Sequence, residues 1–268
     1  MQTILNRAID EVRYYSCGYC VNDMRFIVKD RAVKKKEFPA GVFLLHHKKY
    51  GYILFDTGYS DMNYKCGIKG KLYNFFNPLK VKKEEEIAVQ LQKDGIKPAD
   101  VKYIILSHLH PDHIGDLRDF PKSKIICSMK CFRQYKKGNI KDLIFTDLLP
   151  WDFEKRLYRV RKYDYPTEFF KGYDLFRDGS VILTDISGHA KGQIGAYLPE
   201  HEIFLGADAA WGLNLMSKAD EMSPPARLVQ NNFREYKRSI SLLQKLNEAG
   251  IKIYLSHDVI YKKDLLNE

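Results

Sequence analysis

Apolar residues in the first part of the chain come in short runs separated by Gly, Lys or Asp. The runs at 14–19, 25–28, 41–46 and 51–55 have the length and make-up of strands, and Tyr50-Gly51 reads as a hairpin turn. The pattern then breaks. Positions 59–80 carry Gly67, Gly70 and Pro78 and predict no regular element. From Lys83 onward, Ile87, Ala88, Val89 and Leu91 lie in a charged background opened by Glu84, Glu85 and Glu86, which predicts an amphipathic helix stopped at Gly95. Strands follow at 101–106 and 124–127, with a helix over 129–137. A Tyr- and Arg-rich middle, 148–170, precedes strands at 180–184, 195–198 and 202–205. Phe233, Tyr236, Ile240, Leu243 and Leu246 recur at helical spacing within 229–248, and a last strand covers 252–255. This alternation predicts a layered α/β fold. With no short-period repeat and no low-complexity linker, residues 1–268 are expected to form one domain of two βαβ-like halves.

Composition narrows the class. At 45% hydrophobic and 13% aromatic, the 268 residues can bury a sizeable core, which excludes a disordered chain. Residues 1–12 include Arg7, Asp10 and Glu11 and form no apolar secretory run, and no later stretch nears the roughly 18 apolar residues of a membrane span. A soluble cytoplasmic protein is expected. Five cysteines, Cys17, Cys20, Cys66, Cys127 and Cys131, fit reduced thiols better than a disulfide framework, and the Cys17-x-x-Cys20 spacing has no second pair to complete a four-thiolate metal site. The net charge of +10 admits an acidic partner without naming one. In the densest basic stretch, 155–162, Leu157, Tyr158 and Val160 interrupt the charges, as in a solvated edge.

The chemistry concentrates at Ser107-His108-Leu109-His110-Pro111-Asp112-His113, directly after a buried strand, where open α/β sheets place their sites. His108 and His110, two apart on an extended chain, point the same way, while Asp112 and His113 turn toward a neighbouring point. One short loop can therefore serve two metals. Imidazole and carboxylate suit zinc and similar borderline ions. Three later strand ends carry further candidates: His189 in Gly188-His189, Asp208 in Gly206-Ala207-Asp208, and His257 in Ser256-His257-Asp258. His46, His47 and His201 lack any partner pattern and read as surface or structural.

His-x-His-x-Asp-His followed by separate His, Asp and His resembles the metallo-β-lactamase superfamily over nearly the whole chain. That resemblance implies an αββα sandwich, two mixed sheets flanked by helices. It implies that His108, His110 and His189 bind one divalent ion, that Asp112, His113 and His257 bind a second, and that Asp208 bridges them. The ions would be zinc, with iron, manganese or cobalt also accepted by such ligands. Asp56, in Phe55-Asp56-Thr57-Gly58, matches the early aspartate that orients the ligands. Antibiotic-hydrolysing members commonly carry cysteine where Asp208 stands, and flavin-linked diiron members carry glutamate in place of the motif's second histidine. This chain does neither, so a hydrolytic branch is implied, with a metal-bridging hydroxide as nucleophile and Asp112 shuttling the proton.

Among hydrolytic branches the chain is most similar to the N-acyl-homoserine lactone hydrolases, in length, in Cys20-Val21-x-Asp23, in Gly188-His189 and in Ser256-His257-Asp258. The implied activity is opening of a lactone or related carboxylic ester, as in quorum quenching. Where that family often has a substrate-contacting tyrosine, three residues past the bridging aspartate, this chain has Trp211. Its indole N–H donates one hydrogen bond but cannot exchange its proton. Tyr59, Met62, Tyr64, Leu72, Tyr73, Phe75 and Phe76 would form an apolar lid over an acyl tail. A phosphodiesterase of the tRNA-processing kind, a glyoxalase II-like thioester hydrolase and a non-catalytic metal-binding protein stay as alternatives. The expected partner is a small molecule rather than nucleic acid, and a homodimer is left open.

Overall fold

A computed structural model describes residues 7–29, 35–138 and 142–266; residues 1–6 of the leading stretch and the last two of the chain lie outside them. In the first sheet, β1 (Ile9–Asn22), β2 (Lys36–His47) and β3 (Gly51–Phe55) run antiparallel. β5 (Val101–Ile105), β6 (Lys124–Ser128) and β7 (Leu157–Val160) then join parallel to β3. The short β4 (Leu79–Lys80) pairs with β1, giving the order β4-β1-β2-β3-β5-β6-β7. The second sheet contains β8 (Tyr165–Pro166), β9 (Lys171–Asp174), β10 (Ile182–Asp185), β11 (Ile194–Leu198), β12 (Ile203–Ala207) and β13 (Lys252–Leu255), in the order β13-β12-β11-β10-β9-β8. Its pairs are antiparallel except β12 with β13.

Strand alternation sorts the apolar residues into layers. On β2 and β3, Phe43, Leu45, Ile53 and Phe55 face Leu183, Ala196 and Leu205 of the second sheet. Val42, Leu44 and Leu54 point the other way, onto Ile87, Ala88 and Leu91 of α2 (Ile87–Lys93). The outer face of the second sheet, with Ile182, Phe204 and Ile253, packs on Tyr236, Ile240, Leu243 and Leu246 of α8 (Phe233–Glu248). Each such buried Val, Leu, Ile or Phe side chain contributes about 1.5–3 kcal/mol relative to exposure. The result is two mixed sheets between outer helices, as the resemblance implied.

Most elements match the hydrophobic pattern. The helix over 129–137 is α4 (Met129–Lys137), capped by the Ser128 hydroxyl at its start and by left-handed Gly138 at its end. Three expectations are corrected. Positions 25–28 form a single helical turn, Met24–Phe26, because the Asp23 side chain caps it by accepting from the Arg25 N–H. The segment 59–80, read as irregular, contains a helical turn at Asp61–Lys65 and the ten-residue helix α1 (Gly67–Phe76). The helix expected over 229–248 begins at Phe233, where the Asn232 side chain accepts from two backbone N–H groups, and the separate α7 (Pro224–Leu228) precedes it.

Leu157 and Val160 of the basic stretch are buried in β7 at the sheet edge, while Arg161 and Lys162 are exposed. All five cysteines are buried and free. Buried His47 pairs with Asp178 at 2.9 Å, His46 with Asp10, and His201 with the Ile9 carbonyl, all structural roles. No helix among the described residues is long and apolar enough to cross a membrane.

Candidate metal centre

Strand direction gathers the site. β3 and β5 are parallel, β12 and β13 are parallel, and β10, two antiparallel steps from β12, runs the same way as both. The C-terminal ends of these five strands therefore meet at one edge of the sandwich, carrying Asp56, the 107–113 loop, His189, Asp208 and His257. Two backbone bonds join the sheets there: Ile194 N–H to the Ser107 carbonyl at 3.0 Å and Gly41 N–H to the Ser256 carbonyl at 2.9 Å. Two non-glycine residues adopt left-handed backbone beside the site, Asp56 (φ 64°) and Ala207 (φ 44°). Such conformations cost about 1–3 kcal/mol and concentrate at functional sites. The register also shifts between Leu205 and Ala207, and a bulge of this kind re-aims the next side chain, here Asp208.

The side chains form two adjoining groups. His108, His110 and His189 bring one nitrogen each into a cluster, and Asp112, His113, Asp208 and His257 form the other; within each group the ligand atoms lie within 4.8 Å of one another. Asp208 stands between them: its Oδ2 is 3.3 Å from His189 Nε2 and 3.0 Å from His257 Nε2, and its Oδ1 is 3.3 Å from His113 Nε2. His189 Nε2 meets His110 Nδ1 at 3.0 Å. Asp112 Oδ2 lies 3.5 Å from both His113 and His257.

Fixed acceptors behind the rings decide which nitrogen carries hydrogen. His257 Nδ1 donates to the Pro39 carbonyl at 2.7 Å, His113 Nδ1 to Asp56 Oδ2 at 2.7 Å, and His189 Nδ1 to Gln230 Oε1 at 3.0 Å. The Gln230 amide is itself oriented by its N–H donation to the Ala226 carbonyl. Asp56 also accepts from Ser107 N–H and Oγ, and Ser107 Oγ contacts His108 Nδ1 at 2.9 Å. In the neutral ring each such Nε2 presents a lone pair toward the Asp112–Asp208 side of the site, and His108 Nε2, His113 Nε2 and Asp208 Oδ1 are buried without a hydrogen-bond partner. Lone pairs converging on carboxylates need positive charge between them. The His/Asp cluster therefore suits a two-metal site.

Titration behaviour separates the groups. Burial, then His113 and His110 nearby, holds His108 well below the usual imidazole range. Burial, reinforced by His189, drives His110 down to about 3. His189 is lowered mainly by burial. Burial opposes protonation of His113 and His257 too, but the Asp112, Asp56 and Asp208 carboxylates reverse it for His113 and lift it well up, while Asp208 and Asp112 raise His257 to about 8. Burial would likewise raise Asp208, yet His257 and His113 hold it well below the usual carboxylate range. The acid-rich group thus favours cationic character and the three-histidine group stays neutral, the form in which imidazole ligates.

All seven residues of the motif-based ligand set converge here. Trp211 lies with them, its ring 5.7 Å from that of His189 and nearly perpendicular to it, and Phe38 meets His257 in the same manner at 5.9 Å. The expected apolar lid is divided. Tyr59 is buried and its hydroxyl meets that of half-buried Tyr73 at 2.8 Å, whereas Tyr64, Leu72, Phe75 and Phe76 are exposed. Gln230, Ser107 and the Pro39 carbonyl escaped the sequence reading. Ser107 was visible beside the motif, but nothing local marks Gln230 or a backbone oxygen.

Residues 41–251 match the sequence profile of the metallo-beta-lactamase superfamily. Over 229 residues the chain is 28% identical to the N-acyl homoserine lactonase AttM of Azorhizobium caulinodans, covering 83% of this chain and 82% of that one. It is 30% identical over 165 residues to a gamma-lactamase, MBL2, of Gibberella moniliformis, 54% of this chain and 62% of that one. A solved N-acyl homoserine lactone hydrolase with the product N-hexanoyl-L-homoserine at its catalytic metal centre superposes with a TM-score of 0.72 over 94% of each chain, at 20% identity. The dizinc quorum-quenching lactonase AidC superposes at 0.65 over 95% and 87%, at 18% identity.

The chain belongs to the metallo-β-lactamase superfamily. It is a metal-dependent hydrolase of that superfamily, similar in sequence and fold to lactonases.

Proposed function

We propose that this protein is a two-metal hydrolase that opens a lactone, with an N-acyl-homoserine lactone as the favoured substrate. The observation that carries the chemistry is the pair of ligand groups sharing Asp208, with three buried ligand atoms left unpartnered. In this reading His108, His110 and His189 hold one ion, Asp112, His113 and His257 the other, and Asp208 contributes an oxygen to each. Two divalent ions, taken as zinc, would supply a water-derived nucleophile at neutral pH and a Lewis-acidic grip on the attacked carbonyl.

The chain's own residues do the rest. Pro39, Asp56 and Gln230 hold the imidazoles in one tautomer. Asp112 would carry the proton from nucleophile to leaving alkoxide. Trp211 stands beside His189, where its N–H can donate to the substrate carbonyl but cannot act as an acid. Trp211 and Phe38 give the site apolar walls, which fits a lipophilic acyl lactone. The similarity to AttM along most of both chains supports the substrate class. The five free cysteines support a cytoplasmic setting, and we read residues 1–268 as one domain.

The test is turnover of a short- and a long-chain N-acyl-homoserine lactone, a simple γ-lactone, a γ-lactam, S-lactoylglutathione and bis(p-nitrophenyl) phosphate by metal-replete protein and its Asp208→Ala variant. Lactone turnover with weak salt dependence, lost in the variant, is expected. Turnover of the phosphodiester alone would overturn the substrate assignment.

A further inference from the structure

Helix α1 is amphipathic the wrong way round for a helix packed on a core. Its buried position is a glycine, Gly70, and the half-buried Tyr73 and Asn74 share that inner face. There the Tyr73 hydroxyl meets Tyr59, and Asn74 Oδ1 accepts from Leu79 N–H. The opposite face carries Ile68, Leu72, Phe75 and Phe76, at i, i+4, i+7 and i+8, which places them on one arc of about 100°. They are 86, 57, 78 and 65% exposed. Apolar packing of this helix rests on Tyr73, which meets the Phe145 ring at 5.6 Å, while its Ile, Leu and Phe side chains face outward.

Its charges complete the pattern. Lys69 and Lys71 project from the two margins of the apolar arc, and both are exposed. Lys65 precedes the helix, and Lys80 and Lys82 follow it, also exposed. Between positions 62 and 83 there is no acidic residue; the nearest, Asp61, is paired with Lys65 at 2.7 Å, and Glu84 and Glu85 follow. An outward stripe of Ile, Leu and Phe edged by lysines on aliphatic stems matches the boundary of an anionic bilayer: apolar side chains enter the acyl region while ammonium groups reach the headgroups. The chain's net charge of +10 favours the same surface.

We propose that α1 docks the protein on anionic lipid membranes, lying in the interface plane. A second protein copy fits less well, since a two-fold contact through this face would bring its lysines against one another. The inner face of α1 lies beside the site through Tyr73 and Tyr59, so docking holds the site close to a bilayer into which lipophilic substrates partition. The inference does not depend on which ester or amide the site hydrolyses.

The experiment is co-sedimentation of the full-length, metal-loaded protein with vesicles of phosphatidylcholine alone or of equal parts phosphatidylcholine and phosphatidylserine, beside sedimentation velocity without lipid. The wild type is expected to pellet with the anionic vesicles and much less with the neutral ones. Phe75→Ser/Phe76→Ser is expected to lose binding at low salt, and Lys69→Glu/Lys71→Glu to weaken it by roughly tenfold to a hundredfold. Unchanged thermal melts will show that these exposed substitutions leave the fold intact. Absence of binding by the wild type, or equal binding by the double phenylalanine variant, would overturn the proposal. So would a concentration-dependent dimer that Phe75→Ser/Phe76→Ser breaks in the absence of vesicle binding, which would make the face a subunit contact.

Discussion

Gln230 offers a sharp test of how the centre is built. Its Oε1 accepts from His189 Nδ1 at 3.0 Å and its amide N–H donates to the Ala226 carbonyl at 3.0 Å, in a position as buried as the histidine itself. Gln230→Leu keeps approximate volume but removes both bonds. The His189 N–H then lacks an acceptor in an apolar setting, at a cost of about 1–3 kcal/mol, and the ring is free to flip or to change tautomer. Every such rearrangement withdraws the Nε2 lone pair from the three-histidine group. Losing a partner of this kind weakens metal binding by roughly 10–100-fold, the same 1.4–2.7 kcal/mol on the affinity scale. The Asp112–His113–His257 group does not touch Gln230, so one of two bound ions should be released first. Chelator competition followed by metal analysis measures this: the variant is expected to lose about one ion per chain at chelator concentrations where the wild type keeps two. Gln230→Glu, which retains an acceptor for Nδ1, is expected to recover most of the affinity. Wild-type retention of both ions by Gln230→Leu would refute the reasoning, because His189 would then be held by something other than this bond.

Other outcomes follow from the same geometry. A Cβ on Gly188 (φ 141°) would lie 2.2 Å from the Tyr236 backbone nitrogen and 2.3 Å from its Cα, so Gly188→Ala must push α8 from the strand end carrying His189; denaturant melts are expected to show a loss of about 3 kcal/mol or more. Burial, with Asp119 and Glu86 nearby and Lys83 opposing, raises Asp116 to about 8. The folded state then holds a proton that the unfolded chain releases near its ordinary value of 3.8, so this group's contribution to stability is full at low pH and is lost as pH rises toward 8. Asp116→Asn, which still accepts from Ala88 N–H, is expected to gain stability relative to wild type between pH 5 and 8 in paired urea melts, with a slope up to about 1.4 kcal/mol per pH unit. Ser128 caps α4 by accepting from Cys131 N–H and donates to the Gly192 carbonyl in the loop after His189, so Ser128→Ala should cost about 1–3 kcal/mol in the same assay. Adding zinc to chelator-treated protein is expected to raise the melting temperature, by the equivalent of about 2.7 kcal/mol at a hundredfold excess over the dissociation constant; an unchanged melt would contradict metal binding at the buried, unpartnered nitrogens.

The sequence alone determined the family, the candidate site and most of the scaffold, because these are written locally. Residues 107–113 read as a candidate ligand loop through spacing within one turn of chain, and β3, α4 and β13 follow from their apolar pattern. The sequence also placed His189, Asp208 and His257 at strand ends, but their convergence needed strand directions, which depend on pairing between distant residues. Tertiary structure decided the remainder. Helix α1 has a helical period in Ile68, Leu72, Phe75 and Phe76, but Gly67, Gly70 and Pro78 masked it, and only the tertiary structure decided that this apolar arc faces outward while a glycine packs inward. The turn after Asp23 hid inside a run of strand-forming residues because one side-chain cap outweighed their propensity. Gln230 and the Pro39 carbonyl act on rings 41 and 218 residues away in sequence, and a hydrogen bond across such a distance leaves no trace in local composition: it exists only once two sheets have packed and brought the acceptor to the ring.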